Sequence, residues 1–326
     1  MSSYDRGGRG RPQEPPLPKP YEFVPLPEGR PQLAPPAGHH RYQEGRLSGS
    51  LSAQIIARAP IHVASGILES TPRDREFPMV KAMFRVGGQP AIPATSLKGC
   101  IRSIAEAISR SAVQVTRARD LPPEYLPPRR LDRGVDVAQN IFGALGYQGL
   151  VRLADARLVE GRVITVPTPQ LFRPRPESVD TYFDGRRPRG RKFYMHGALA
   201  KGDLPLEACE VGSRFALRLE FENLTQGELG LLLTALGLGE PAFYPKLGGG
   251  KPACLGTIEV VEPTLTAHNT QATYSDFDAA SAPLAIAPLL EAAHGERLIV
   301  YSHLETLSRI LAPATVGERK CPDRNY

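Results

Sequence analysis

Residues 214–236 read RFALRLEFENLTQGELGLLLTAL, and their pattern decides the fold class. Phe215, Leu217, Leu219 and Phe221 alternate with Arg218, Glu220 and Glu222, the period-two signature of a strand with one buried face. Directly afterwards Thr225 and Glu228 stand at capping-box spacing, and Leu229, Leu232, Leu233 and Leu236 follow at helical steps. A glycine-rich loop and a strand over 255–261 complete a strand–helix–strand unit. A matching unit lies upstream. There a strand over 48–57 precedes a helix marked by Leu97, Cys100, Ile101, Ile104, Ala105 and Ile108, and a strand over 150–159 follows. Thr95 or Ser96 is placed to cap that helix, with Pro93 just outside it. The order strand–helix–strand–strand–helix–strand is ferredoxin-like, so the spacing predicts an α+β fold with large loop insertions near 69–91, 112–149 and 160–212. Within them it predicts a short hairpin around 80–91, turning at Gly87-Gly88, and a long irregular segment over 165–201.

Outside that unit the composition shifts. Residues 1–46 hold ten prolines with many Gly, Arg and Gln, including the RGGRG run at 6–10. Such a stretch reads as a disordered or extended arm, ordered against RNA or a neighbouring subunit. The domain proper spans 47–262, and 263–326 form a C-terminal extension with two amphipathic helical stretches, 284–293 and 296–311. With 326 residues the chain can bury a sizeable core. Gly (31) and Pro (33) exceed the average share of about 12% without a collagen period, which excludes a fibrous protein and favours long loops.

Cys100, Cys209, Cys254 and Cys321 lie far apart with no C-x-x-C, so neither a zinc finger nor a disulfide framework is expected, and a reducing cytoplasm is the expected setting. No run of 18 apolar residues marks a membrane span, and the N-terminus has no apolar signal core. The net charge of +6 leans towards a polyanionic partner.

Three segments are candidates for binding such a partner. The loop KLGGGKP (246–252) fails as a Walker A motif, because Pro245 stands where its first glycine belongs and Pro252 where Ser or Thr would hold magnesium. What remains is Gly248, Gly249 and Gly250 between Lys246 and Lys251, a loop whose amides and ammonium groups suit phosphate. The segment IPATSLKGCIR (92–102) offers Ser96, Lys98 and Arg102, the last two one turn apart on the face opposite the leucine stripe. A basic loop ends in Arg189, Arg191 and Lys192, with Tyr182, Phe183, Phe193 and Tyr194 interleaved, which suits stacking on unpaired bases. The histidines, His62 among them, show no metal-ligand spacing, and the hydrolase elbow G-x-S-x-G is absent.

Taken together these segments resemble one family. IPATSLKG (92–99) resembles the IPGSSLKG signature of the RAMP superfamily of CRISPR-associated proteins. NIFGALGYQGLVRLADARL (140–158) is similar to that family's FG…G-x-x-x-x-x-D stretch through Phe142, Gly143, Gly149 and Asp155. RGRKFYMHG, ENLTQGELGLLLTALGL and KLGGGKPACLGTIEV are further likenesses, and together they run from about 47 to 261.

The resemblance implies a modified ferredoxin-like (RRM-type) fold and a guide-RNA-binding backbone subunit of a type III CRISPR effector, an antiviral ribonucleoprotein. Its implied partners are the guide RNA, a complementary target RNA and other RAMP-type subunits, with no membrane. Lys98, Arg102 and the loop 248–251 carry over as guide contacts, and the insertions as thumb-like wedges. Target-cleaving relatives use an Asp before the signature. In ESTPRDREFPMVKAMF (69–84) that residue is Asp74, between Arg73 and Arg75, with Glu69 and Glu76 as the other carboxylates. Cleavage there implies magnesium or another divalent ion; no structural cofactor is expected. The alternative is an endoribonuclease that processes precursor guide RNA, for which His62 lacks an evident acid–base partner.

Overall fold

The computed structural model describes residues 17–71, 75–113, 122–127, 131–171, 181–185, 187–276 and 281–323. Four strands and two helices form the central unit: β1 (Leu47–Ala57), α1 (Ala94–Ile108), β2 (Ala156–Glu160), β3 (Arg214–Leu224), α2 (Gln226–Ala235) and β4 (Ile258–Ala267). β1 pairs antiparallel with both β3 and β4, and β2 pairs antiparallel with β3, giving the order 4-1-3-2. Phe215, Leu217, Leu219 and Phe221 are all buried, as the alternation predicts. α2 opens with the predicted capping box between Thr225 and Glu228. The strand expected over 150–159 is two pieces, Val151–Leu153 and β2, both paired with β3. At Gly49 the sheet is too tight for a side chain: a Cβ would sit 1.9 Å from the Thr266 carbonyl oxygen of β4.

The insertions are more regular than their sequence suggests. Val163–Thr168, Leu204–Cys209, Met79–Met83 and Ala64–Ser70 line up, in that order, as a second four-stranded sheet. The segment read as irregular over 165–201 thus contributes most of one strand, as well as the short strands Phe183–Asp184, Arg187–Pro188 and Arg191–Tyr194. Pro167 hides the first of these, because proline argues against a strand and the partner lies some 40 residues away. The predicted hairpin turn is present between Arg85–Val86 and Gln89–Ile92, with Gly87 and Gly88 both at positive φ as a two-residue turn of this kind demands.

Two C-terminal helices, α3 (Ile286–Gly295) and α4 (Tyr301–Ile310), lie against the central helices. α3 packs on α2, where a Cβ on Gly230 would sit 1.9 Å from the Leu289 carbonyl oxygen. α4 packs on α1, and His303 Nδ1 lies 3.1 Å from the Ala107 carbonyl oxygen. The predicted helical stretches of the extension are therefore present as a layer over α1 and α2. None of the described helices is long and apolar enough to cross a membrane.

The structure corrects the reading in two further places. From Leu17 the arm is laid along its own domain: Tyr21–Val24 pairs antiparallel with Arg191–Tyr194, Tyr21, Val24 and Ala37 are buried, and Ala34 bridges Val135. Asn223, at φ 53, bonds the carbonyl oxygens of Gly38 and Arg41 through its side-chain amide, and Arg46 pairs with Glu228 at 3.0 Å. Scattered apolar and polar anchors offset the ordering entropy that proline content alone suggests is unopposed. Secondly, Cys254 and Cys321 form a disulfide, 67 residues apart in sequence and so invisible to spacing rules. Cysteine usage therefore lends no support to a reducing setting. In the chain-entropy account a loop of that length restricts the unfolded chain by about 4 kcal/mol.

Deleting residues 1–46 should lower the melting temperature by several degrees, and Tyr21→Ala alone should cost about 3 kcal/mol. Calorimetry of the two variants checks this; a transition unchanged by the deletion would show that the arm does not pack.

Candidate nucleic-acid interface

α1 is the axis on which the sequence motifs converge. Its N-terminus is capped from the link between Val151–Leu153 and β2: the Ala94 amide donates to Asp155 Oδ1 at 2.7 Å. Thr95 and Ser96 make no side-chain cap, because the helix begins two or three residues earlier than the sequence predicts, with Pro93 at the cap position. Lys98 Nζ donates to the Val151 carbonyl oxygen at 3.0 Å, and Arg102 Nη1 to that of Gly143 at 2.9 Å. These bonds tie the Phe142-Gly143 segment to one side of the helix. On the other side Cys100 Sγ approaches the Lys246 carbonyl oxygen at 3.5 Å and draws the glycine loop in. Gly149 is needed where that first segment doubles back, since a Cβ would lie 2.3 Å from the Phe142 carbonyl carbon.

Lys98 and Arg102 are consequently half-buried tethers, not members of a solvated face. Burial first, and then Arg102 and Arg152, hold the Lys98 ammonium below the ordinary lysine range. Arg102 also donates through Nε to Glu106 Oε1 at 2.7 Å, while Arg191 Nη1 meets Glu106 Oε2 at 2.7 Å. Glu106 is only 4% exposed. Arg191 Nη2 donates to the Ala112 carbonyl oxygen, and the buried Asp136 accepts the amides of Ala112 and Gln139. Burial pushes the Asp136 carboxyl up and the Arg191 guanidinium down. Arg102 and Arg191, both expected to touch RNA, thus meet at one buried carboxylate. The i,i+4 spacing of Arg102 and Glu106 was the signal for it.

Lys192 is enclosed as well. Its ammonium donates to the hydroxyls of Tyr182 and Tyr194 and lies 4.7–5.2 Å from the ring centres of Tyr21, Tyr182 and Tyr194. Tyr21, from the arm, stacks parallel to Tyr182. The aromatic and basic residues read as a base-stacking loop therefore grip the arm, and Arg189 is the exposed member of the group, its Nε on the Phe183 carbonyl oxygen.

The glycine loop is closed by its own backbone. Leu247 N–H donates to the Gly256 carbonyl oxygen, Gly256 N–H to that of Pro60, and Gly249 N–H to that of His62. A Cβ on Gly248, at φ 80, would sit 2.3 Å from that His62 oxygen. These glycines seat the loop on the buried His62, whose Nδ1 is 2.6 Å from the Glu207 carbonyl oxygen. Burial holds His62 below its ordinary value. Lys246 is buried too, its Nζ donating to the Met195 carbonyl oxygen at 2.8 Å. Burial, then Lys251 and Arg319, push it down to about 7.

What stays open to a ligand is a ridge of small residues along α1. Thr95, Gly99 and Ser103 are exposed at i, i+4 and i+8, and a Cβ on Gly99 would meet nothing within 4 Å. Ser96 is half-buried beside it. Arg152 and Lys98 flank one side of this ridge and Lys251 the other, and Lys251 has no ion pair among the described residues. The candidates drawn from the sequence leave out Thr95, Gly99 and Ser103, although their spacing on the polar side of the helix was legible, and Arg152, which lies on the strand Val151–Leu153. On the open face of the sheet, the outward positions Ser50, Ser52, Gln54 and Ile56 of β1 and Arg214, Ala216, Arg218, Glu220 and Glu222 of β3 carry no aromatic ring.

Asp74 lies outside the described residues. Of its neighbours, Glu69 is exposed and 3.9 Å from Arg85, which itself grips Glu207 with both terminal nitrogens. No group of three or more His, Cys, Asp or Glu that would hold a metal ion occurs among the described residues. Residues 54–259 match the sequence model of the RAMP superfamily. No curated protein matches the chain.

Glu106→Gln should cost about 3 kcal/mol in urea unfolding, because it leaves two enclosed guanidiniums short of their counter-charge; a loss under about 1 kcal/mol would contradict the buried bridge. Lys246 sits at about 7 folded against its ordinary 10.5, so unfolding takes up a proton between those values and stability rises with pH across that window. Lys246→Met should flatten the rise in urea midpoint from pH 7 to 9. An unaltered slope would assign it to another group.

Proposed function

The chain belongs to the RAMP superfamily, and with it to the CRISPR-associated RNA-binding proteins; on that premise we propose that it is a guide-RNA-binding backbone subunit of a type III CRISPR ribonucleoprotein. The observation that carries this reading is the convergence of three separate motif segments on α1, through the contacts of Ala94 with Asp155, Lys98 with Val151, Arg102 with Gly143 and Cys100 with Lys246. In this reading the phosphate chain of the guide runs over Thr95, Gly99 and Ser103, where small side chains let it approach the helix closely. Lys251 supplies charge from one side and the half-exposed Arg152, paired with Glu222 at 3.1 Å, from the other, and phosphate contacts of this kind bind without reading sequence. Lys98, Arg102 and Arg191 serve by fixing the flanking segments. The RRM-type likeness extends to strand order but not to base stacking on the sheet, since that platform needs exposed rings and the outward positions of β1 and β3 have none. Its partners are then the guide, the complementary target and neighbouring RAMP-type subunits.

Target cleavage is a separate part of the proposal and rests on the sequence position of Asp74. The described residues around it do not gather into a metal-holding set, so no step is routed through a metal.

Lys251→Ala and Gly99→Asp should weaken binding of single-stranded RNA of any sequence while leaving stability near wild type. Each lost phosphate contact should lower the slope of log affinity against log salt by about 0.7. Arg102→Ala should instead lower stability first. Equal affinities and slopes for the first two variants would remove the α1 ridge from the interface. In an assembled complex Asp74→Asn should abolish target cutting with binding retained; cutting at the wild-type rate would end that assignment.

A further inference from the structure

Cys254 closes the single turn Lys251–Ala253 at the end of the glycine loop and stands at φ 70, in the left-handed region that disfavours a Cβ. A glycine would hold that backbone with less strain; what the cysteine adds is a sulfur. Its partner Cys321 belongs to the C-terminal tail, which runs beside residues 197–200. The Ala198 amide donates to the Arg319 carbonyl oxygen at 2.6 Å, and the Ala200 amide to that of Ala253 at 3.1 Å. Gly197 makes room for this tail, since a Cβ there would lie 2.3 Å from the Arg319 oxygen and 2.8 Å from Cys321 Sγ. Ala200, Leu206, Ala253, Cys254, Leu255 and Cys321 make up an apolar cluster separate from the main core. Six residues, mostly small, bury little area, so the covalent bond is the principal tie between tail and loop.

We propose that the Cys254–Cys321 disulfide is a redox latch, which a dithiol reductant opens to release the C-terminal tail and loosen the glycine loop. The two sulfurs are unequal in access. Both cysteines are buried, but Cys321 is 8% exposed against 1% for Cys254, and it is Cys321 that lines the groove with Arg319, Lys320, Lys201 and Leu17. Cys254 Sγ lies 3.8 Å from the Met195 carbonyl oxygen, the same oxygen that accepts from Lys246 Nζ, which puts beside the leaving sulfur an amine able to hand it a proton. A reductant thiolate entering the groove attacks Cys321 Sγ; the sulfur–sulfur bond breaks and Cys254 leaves as a thiolate, which then takes a proton. The second thiol of the reductant displaces Cys321, which is protonated in turn. The reductant ends as its own disulfide, having given two electrons, and the protein holds two new thiols. Because the loop flanks the α1 ridge, the reduced form binds RNA more weakly, a consequence that rests on the function proposed above.

The test compares the full chain, oxidised and after dithiothreitol, with the Cys321→Ser variant. Alkylation and mass measurement should count two additional reactive thiols after reduction, beyond Cys100 and Cys209. Hydrogen exchange should quicken about tenfold in 319–323 and 246–256 but not in β1 or β3, and Cys321→Ser should match the reduced form without reductant. Single-stranded RNA should bind the oxidised chain more tightly than either. A disulfide that resists dithiothreitol, or exchange in the tail and loop that reduction leaves unchanged, would overturn the latch. Equal RNA affinity in both forms, with exchange altered, would overturn its coupling to RNA. RNA that binds neither form would refute the proposed function instead, and exchange would still decide the latch.

Discussion

A carboxylate almost wholly removed from water holds this architecture to one arrangement. Glu106 projects from α1 into a site where ionisation is tolerable only with opposite charge in contact, and Arg102 and Arg191 supply it from two directions. Arg102 comes from the same helix and reaches on to Gly143; Arg191 comes from the strand that carries the N-terminal arm. One ion cluster therefore registers the signature helix, the Phe142-Gly143 segment and the arm against each other. Displacing any of the three would leave a charge buried without its counterpart. That makes the cluster a device for specificity at least as much as a source of stability.

Much of the central unit was legible because its cues are local. The alternation through 215–221 and the capping box at Thr225 and Glu228 fix β3 and α2 from neighbouring residues alone. The second sheet was not legible, because Val163–Thr168 pairs with a strand some 40 residues on and contains a proline. The arm misled for the opposite reason. Its proline content is a true guide to backbone stiffness, but Tyr21 and Val24 need only one exposed strand edge to bury themselves. The disulfide left no local trace at all, since 67 residues separate its halves.

At the candidate site, the sequence picked out segments that the fold brings together on α1, but gave no sign of the intramolecular contacts their cations make. Lys98, Arg102, Arg191, Lys192 and Lys246 all carry charge, and charge alone suggested an RNA backbone. Each lies beside a carbonyl oxygen, a carboxylate or a set of tyrosine hydroxyls that fold topology brings in from elsewhere. Cations already engaged in this way shape the surface without forming it. In the proposed interface the residues that meet the guide are inconspicuous ones, Thr95, Gly99 and Ser103, whose value lies in being small. A search weighted towards charged residues passes over such positions.

The groove beside Cys321 has a topological meaning of its own. Leu17 and Pro18 line it together with Pro322 and Asp323, so both ends of the described chain come to one place on the surface. Neighbouring ends of this kind make a protein amenable to circular permutation. With residues 1–16 and 324–326 removed, a short linker could join Leu17 to Asp323, and new ends could open at Leu145-Gly146, where Leu145 is exposed at the turn between Gly143–Ala144 and Tyr147–Gln148.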